Sequence, residues 1–546
     1  MVASSNTQAQ ADVTPVLDYD AIIIGAGMSG MYQLYRLRAL GLRVLVLEAG
    51  TGVGGTWYWN RYPGARFDSE SYSYAFSFSK ALLDEWDWGE HFSGQPETLR
   101  YLNHVADKFD LRKDMQFRSR VASAYFQEAS RSWDITLEDG RHYTSRLMIT
   151  AVGPLSAPTM PNIPGVDSFK GESCHTARWP HEPVSFEGKR VAVIGTGATG
   201  VQTIQEVAKT AKSLTVFQRT PNWCAPLLNS KISKEEMEQL RAGYPAMFQR
   251  CLETYSCFLH TPDTRGTFEV TPEERTAFWE KLYASPGFGI WLGNFKDILT
   301  DRAANAELSA FVANKIRQRV KNQAVAEKLI PRNHGFGTRR VPMETKYYEV
   351  YNQDNVQLVD ISETPIERIT ETGIKTSTAA FDFDMIIYAT GFDAITGSFD
   401  RIDIRGTNGQ KLKDRWKFGP ETYLGVMVDG FPNMMMVIGP HMALGNIPRS
   451  IEHNVDWVTD LVRYLRDHNI TRVEATAGEV QTWTDHVKSL GEGLLLNEVN
   501  SWMTGVNTNV EGKQVRIVNR YSGSAPDYRA KCDAVAASQY KDMALA

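Results

Sequence analysis

Two runs of four consecutive apolar residues, Ala21–Ile24 and Val191–Ile194, interrupt an otherwise ordinary mixture of polar and apolar positions. Uninterrupted runs of this length are what strands buried on both faces of a parallel sheet require. Each is followed by a turn and then by apolar residues at helical spacing. After the first come Met31, Leu34, Leu37 and Leu40, and after the second Val201, Ile204, Val207, Ala208 and Ala211. Gly41 predicts the end of the first helix. A second strand follows in both copies, Arg43–Glu48 and Leu214–Phe217. The chain therefore reads as α/β, with one strand–helix–strand unit used twice.

Between and after these units the pattern changes. Tyr72, Tyr74, Phe76 and Phe78 alternate with small residues, which predicts a strand with one aromatic face. Residues 225 to 330 lack strand patterning, whereas Ile232–Arg241 and Ala306–Ile330 predict helices with solvated charged faces, hence a helical insertion. Further strands are expected at Arg146–Gly153, Val356–Asp360 and Asp384–Phe392, the last returning the chain to the first unit. Met434–Met436 fit either a buried strand or a soft pocket lining. Ile451, Val455, Val458, Leu461 and Leu465 predict an amphipathic helix, and Ser501–Asn507 the end of a helical stretch. The expected organisation is a disordered tail over 1–18, a first domain from 19–153 and 385–546, a second from 154–224 and 335–384, and a helical subdomain over 225–334.

Composition narrows the possibilities. A chain of 546 residues exceeds one compact core, so two or three domains are expected. A net charge of -5 offers no field for nucleic acid or an anionic membrane. No run approaches the ~18 apolar residues of a spanning helix. The polar start, without a cationic or apolar segment, does not resemble a signal peptide. Five scattered cysteines, with no metal-ligand or disulfide spacing, suit a reducing cytoplasm.

The turns carry the chemistry. Gly25, Gly27 and Gly30 permit a tight turn, close backbone approach to a pyrophosphate and close helix packing, and Gly195, Gly197 and Gly200 repeat the arrangement. Both units are therefore Rossmann-like. Glu48, 18 residues after Gly30, is placed to accept hydrogen bonds from an adenosine ribose. The second unit has Gln218-Arg219-Thr220 there and no acid, which suits a 2′-phosphate and predicts NADPH over NADH. Gly54 to Asp68 packs aromatics and glycines around one acid. Gly55, Thr56, Trp57, Tyr58 and Trp59 are expected to wall a large planar cofactor. Asp68 needs a cation to be tolerable among such neighbours. The segment from Phe169 to Pro180 lies between the two units, where it would fix how two nucleotides face each other. Read alone it is a loop with a buried Trp.

Together these motifs resemble the type I Baeyer–Villiger monooxygenases. Phe169, Gly171, His175, Trp179 and Pro180 fit that family's Phe-x-Gly-xxx-His-xxx-Trp-Pro signature, and Gly54 to Asp68 fits its longer one. Ala151-Val152-Gly153 departs slightly, with Val where Thr is common. The resemblance implies FAD in the first domain and NADPH in the second. Electrons from NADPH would reach the flavin, O₂ would add, and the peroxide would convert a ketone to an ester or lactone. It also implies roles. Arg340 would stabilise the peroxide anion and Asp68 would hold Arg340. Tyr74 would lie on the FAD side. Arg66, Phe67, Asp68, Thr196, Ala198, Thr199, Val201, Gln202, Arg219, Thr220, Arg339 and Arg340 would contact NADP, with Trp502 near the nicotinamide. His175 would serve the linker rather than carry a proton. The loop from Gly439 to Pro448 is expected to line the ketone pocket. The expected assembly is a cytoplasmic monomer or weak homo-oligomer with small-molecule ketone and O₂ as partners, and neither nucleic acid nor membrane. The rival readings are a flavin enzyme oxygenating nitrogen or sulfur, and a non-enzymatic NADP-sensing flavoprotein. A disulfide reductase would need a Cys pair in the first helix, and no Cys precedes 174.

Overall fold

A computed structural model describes residues 16–546. Two separate sheets grow from the two apolar runs. Tyr19–Ile24 lies between Val44–Leu47 and His142–Thr150 and is parallel to both, in an eight-stranded sheet. Arg190–Ile194 lies between Ser213–Gln218 and Met385–Tyr388 in a five-stranded parallel sheet ordered Val356–Asp360, Ser213–Gln218, Arg190–Ile194, Met385–Tyr388, Glu172–His175. The first run is fully apolar because both of its faces are covered. Met28–Ala39 packs on one side and is tied to the long helix Ile447–Asp467 by Tyr32 Oη donating to Asp456 (2.8 Å) and Gln33 Nε2 donating to Thr459 (3.1 Å). Ile451, Val455, Val458, Leu461 and Leu465 are all buried on that helix, as their spacing predicts. Met434–Met436 is a wholly buried strand alongside His142–Thr150, so the methionines serve the core.

The two units are built alike to the last turn. Gly25 and Gly195 both adopt φ +109, and a Cβ on either would lie 2.5 Å from a carbonyl oxygen, of Ala151 or of Ala389. A Cβ on Gly30 or Gly200 would strike the oxygen of Gly25 or Gly195. Ala389 thus stands to the second unit as Ala151 stands to the first. The strand leading to it, Met385–Tyr388, belongs to the second sheet, which corrects the expectation that it re-enters the first domain. An apolar run specifies burial on both faces but not which sheet supplies the neighbours.

The insertion is helical, with Lys234–Glu253, Pro272–Tyr283, Arg302–Arg319 and Gln323–Leu329 as its main helices. The single helix expected over 306–330 starts earlier and breaks at Val320–Asn322, where the Asn322 side chain accepts from the amides of Ala324 and Val325 and restarts it. At its base the short strands Ala225–Pro226 and Met343–Glu344 pair. Trp279, Phe295, Leu308 and Ile316 share one core with Val191, Val193 and Val216, so the insertion is packed into the second unit.

Two other expectations change. The alternating aromatics are not a strand. Ser71–Tyr74 is a single helical turn, and the aromatic side chains diverge: Tyr74 stacks on Phe67, Tyr72 meets His91 edge-on, and Phe76 and Phe78 pack on Tyr32. Near Ser501–Asn507 there is only the 3₁₀ turn Trp502–Thr504, ended by Gly505 in the left-handed region (φ +72). Of the tail expected over 1–18, residues 1–15 lie outside the described residues. Asp18 is anchored, accepting from the amide and hydroxyl of Thr144 at 2.8 and 2.9 Å.

Candidate active site

In the first unit the glycine turn and the acid are one structure. Glu48 is buried, and its carboxylate accepts from the amides of Ala26 (2.8 Å) and Gly50 (2.6 Å). Burial pushes its carboxyl up, and the two amides pull it back. Gly55 has φ +53, and a Cβ there would come within 2.8 Å of Gly27 Cα. The two backbones form a cradle that side chains would fill. Thr56–Trp59 is one helical turn beyond it. Trp57 stands edge-on to Phe67 (5.5 Å) and Tyr74 (5.9 Å), which stack on each other at 4.3 Å. Gln95 Nε2 donates to the Trp57 carbonyl at 2.6 Å and fixes the turn. The donors, glycines and aromatic wall fit a flavin dinucleotide.

Asp68 and Arg340, 272 residues apart, meet here. Arg340 Nη2 donates to Asp68 Oδ2 at 2.7 Å. The carboxylate is completely buried while the guanidinium keeps 33% of its side-chain surface. Burial pushes the Asp68 carboxyl up, and the Arg340 cation opposes that shift. The second oxygen, Oδ1, has no hydrogen-bond partner among the described residues. A buried acceptor without a donor is costly, and it fits a site completed by a ligand.

The second cradle opens at the helix Ala198–Val207, whose N-terminal Gly197 brings no side chain to its free amides. A Cβ on Gly197 would meet nothing within 4 Å. Thr196 Oγ1 donates to the Thr220 carbonyl (3.0 Å), and Thr199 Oγ1 accepts from Thr176 (3.2 Å). Gln202 reaches across to the first unit. Its Oε1 accepts from Tyr62 Oη (2.7 Å) and its Nε2 donates to the Arg66 carbonyl (3.1 Å). Val201 is buried beneath it. Arg219 is exposed and donates to Thr508 Oγ1 at 2.9 Å. Arg339 is depressed below the usual arginine range, first by burial and then by the nearby positive Arg219, and its Nε has no partner among the described residues. Paired cations without a carboxylate fit an anionic group such as a nucleotide phosphate. Trp502 lines one small cavity together with Phe392, Asp393, Ala394 and Thr396, of the loop that follows Met385–Tyr388.

The Phe169–Pro180 segment is not a loop. Glu172–His175 is the edge strand of the second sheet, followed by the 3₁₀ turn Thr176–Arg178. A Cβ on Gly171 would lie 2.5 Å from the Phe169 ring and 2.8 Å from the Asp384 carbonyl, so glycine is what lets the strand enter. His175 is buried. Its Nδ1 accepts from the Ala177 amide (3.1 Å), so Nε2 carries the hydrogen and faces the Thr159 carbonyl (3.2 Å) and Thr390 Oγ1 (3.3 Å). Burial depresses it to about 4, so it is neutral near pH 7. Trp179 is buried and Pro180 exposed. Arg178 lies 4.5 Å over the Trp59 ring, and His181 lies 5.3 Å from Tyr58, so the segment touches both units. Sequence reasoning missed Tyr62, Gln95, Thr159, Arg178 and Thr390. Tyr62, Arg178 and Thr390 sit inside motifs already singled out, but Gln95 and Thr159 carry no local signal.

Two nucleotide cradles facing one acid–arginine pair define the class as a two-nucleotide oxidoreductase. A family model described as flavin-binding monooxygenase-like matches residues 20–246. The chain is 49% identical to the 2-oxo-Δ³-4,5,5-trimethylcyclopentenylacetyl-CoA monooxygenase of Pseudomonas putida, over 96% of this chain and 98% of the relative. It is 42% identical to an Acinetobacter cyclohexanone 1,2-monooxygenase (94% of each chain). A phenazine N-monooxygenase of Lysobacter antibioticus is 39% identical (96% and 97%). The crystal structure of OTEMO in complex with FAD and NADP superposes with a TM-score of 0.94 at 49% identity, covering 97% of this chain and 100% of that one. The chain belongs to the type I Baeyer–Villiger monooxygenases.

Proposed function

We propose that this protein inserts one atom of O₂ beside a ketone carbonyl, consuming NADPH and a proton and releasing an ester or lactone, water and NADP⁺. FAD, held by the Gly25–Gly30 turn, Glu48, Gly55 and the Thr56–Trp59 wall with Tyr74, accepts electrons from NADPH and activates O₂ when bound. NADPH sits on Gly195–Gln202, with Arg66 and Phe67 along it, Arg219, Thr220 and Arg339 at the 2′-phosphate, and Trp502 over the nicotinamide side. Arg340 presents a permanent positive charge to the oxygen that becomes anionic during transfer. Asp68 orients that guanidinium and lowers the cost of leaving it in a water-poor cleft. Neutral His175 holds Thr159 and Thr390 together within the NADP unit, and Arg178, three residues on, carries the segment onto Trp59 of the FAD unit. Residues 439–448 line the ketone pocket. Residues 19–153 with the chain beyond Gly391 form the FAD unit, and 154–224 with 335–391 the NADP unit. Residues 225–334 form the helical subdomain.

The observation that carries this reading is the pairing of buried Asp68, from the first unit, with half-buried Arg340, from the second. The N-oxygenating relative favours a second reading, nitrogen or sulfur oxygenation at the same site. A ketone panel scored by product settles the choice: ester or lactone formed per NADPH consumed supports ketone oxygenation. NADPH oxidation yielding only peroxide, or N-oxide from an amine panel without ester, overturns it. No helix among the described residues is long and apolar enough to cross a membrane. All five cysteines are free and buried. The setting proposed is a cytoplasmic monomer or weak homo-oligomer, which fractionation and light scattering check.

A further inference from the structure

Lys513 is a charged group with every donor used. Its Nζ lies 2.6 Å from Asp393 Oδ1, 2.9 Å from Asp400 Oδ2 and 3.0 Å from Thr396 Oγ1. An ammonium has three donors, and all three are used. The side chains keep only 18%, 12% and 18% of their surface for Lys513, Asp393 and Asp400. The acids belong to the loop following Gly391, itself pinned by the Asp393 amide donating to the Ala157 carbonyl. The lysine belongs to residues 504–517, a loop tied to itself at two levels. The Ile517 amide donates to Thr504 (3.0 Å), and the Asn507 amide donates to Lys513 (2.7 Å). Asn507 Nδ2 donates to Thr159 Oγ1 (3.2 Å) and the Phe392 carbonyl (3.0 Å). Thr508, next to it, takes the hydrogen bond from Arg219.

We propose that Lys513 is a positioning residue for the nicotinamide nucleotide. By clamping the 504–517 loop to Asp393 and Asp400 it sets where Thr508 holds Arg219 and where Trp502 lies. The proposal rests on the reading of Arg219 as the contact to the 2′-phosphate. An ammonium between two carboxylates is the strongest tie between the two loops. The remaining Asn507 contacts are neutral and individually weaker. Without the clamp the loop exchanges among positions, and the nucleotide must order it on binding, which lowers apparent affinity by the fraction of time the loop is misplaced.

The test uses the whole FAD-loaded enzyme. Lys513→Met should raise KM for NADPH about tenfold while kcat stays within about twofold. Amide exchange across 504–517 should quicken without nucleotide and be slowed again by NADP⁺. Adding Asp400→Asn removes the surplus buried carboxylate, so it should recover melting temperature but leave KM high, a separation that a purely structural lysine would not give. If Lys513→Met does not fold, Asp400→Asn alone should show the same change in exchange at a smaller size. Wild-type KM together with unchanged exchange in these variants overturns the clamp. Wild-type enzyme that shows no protection by NADP⁺ overturns the nucleotide assignment, and the clamp falls with it.

Discussion

Arg340 and Arg219 are both arginines near a nucleotide site, and their surroundings separate their tasks. Arg340 bonds to an acid with no exposed surface, so its position is fixed before any ligand arrives. Replacing it with Ala leaves Asp68 buried without its cation, and melting temperature should fall. The folded fraction should still bind FAD, since neither glycine turn touches Arg340, while ester formation falls roughly a hundred- to thousandfold, the range for losing one preorganised electrostatic group. Gas chromatography of product against flavin absorbance measures both, and near-normal ester per bound FAD refutes the assignment. Arg219 is exposed and, among the described residues, held only by a threonine hydroxyl. A charge-assisted contact is worth roughly 1.5–3 kcal/mol, so Arg219→Ala should raise KM for NADPH about ten- to a hundredfold with little change for NADH. Because the group faces solvent, the preference should shrink with added salt. Equal loss for both nucleotides would show that Arg219 does not read the phosphate.

The glycine turns are the elements most legible in the sequence, because the constraint on the last glycine of each lies within one strand–turn–helix unit. Gly30 and Gly200 are required by a carbonyl five residues earlier, a distance that any reading of the chain spans. Gly197 differs. It takes extended backbone that any residue adopts, and a Cβ there meets nothing. Gly197→Ala should therefore leave melting temperature within about 1 °C, since surface changes of this kind stay within about 0.5 kcal/mol. It should nonetheless raise KM for NADPH and NADH together, because the added methyl takes the place of a pyrophosphate approaching the helix amides. A marked loss of stability, or wild-type kinetics, would mean that the space is not used by a nucleotide. Other elements were illegible for a physical reason. The alternation of Tyr72 to Phe78 mimics a strand, but the contacts that decide its shape come from Phe67, His91 and Tyr32, remote parts of the fold. Met385–Tyr388 announces itself as buried without naming its sheet. The Asp68–Arg340 pair was reached only through the family's pattern, and Lys513 with Asp393 and Asp400 leaves no periodic trace at all.

At the scale of the whole molecule, both units and the C-terminal segment are each packed around buried histidines that stay neutral. His175 ties the edge strand to the linker carbonyl of Thr159, His334 lies beside Arg339, His441 Nε2 bonds the Val518 carbonyl at 2.9 Å, and His453 packs on Tyr528. Burial depresses them to about 4, 3, 4 and 4 from an ordinary 6.5. A histidine whose folded value is depressed binds fewer protons folded than unfolded throughout that interval. Stability therefore rises with pH there, is fully present above about 6.5, and is lost as pH falls from 6.5 toward 4. Each such group costs about 1.36 kcal/mol for every unit of pH within its window. Glu48, Asp68 and Asp456 act in the opposite sense from the ordinary carboxyl range upward, because burial raises them and folding then favours their protonated forms. One histidine can be isolated from this sum. His441 is fully buried, and Asn keeps a donor for Val518 but cannot titrate. His441→Asn should lower melting temperature at pH 7.5 through lost packing, yet flatten its fall between pH 6.5 and 5 by the equivalent of one proton. Calorimetric scans of both proteins across that range decide it. Parallel curves would show that His441 carries its proton in the folded state and contributes nothing to the acid sensitivity of the assembly.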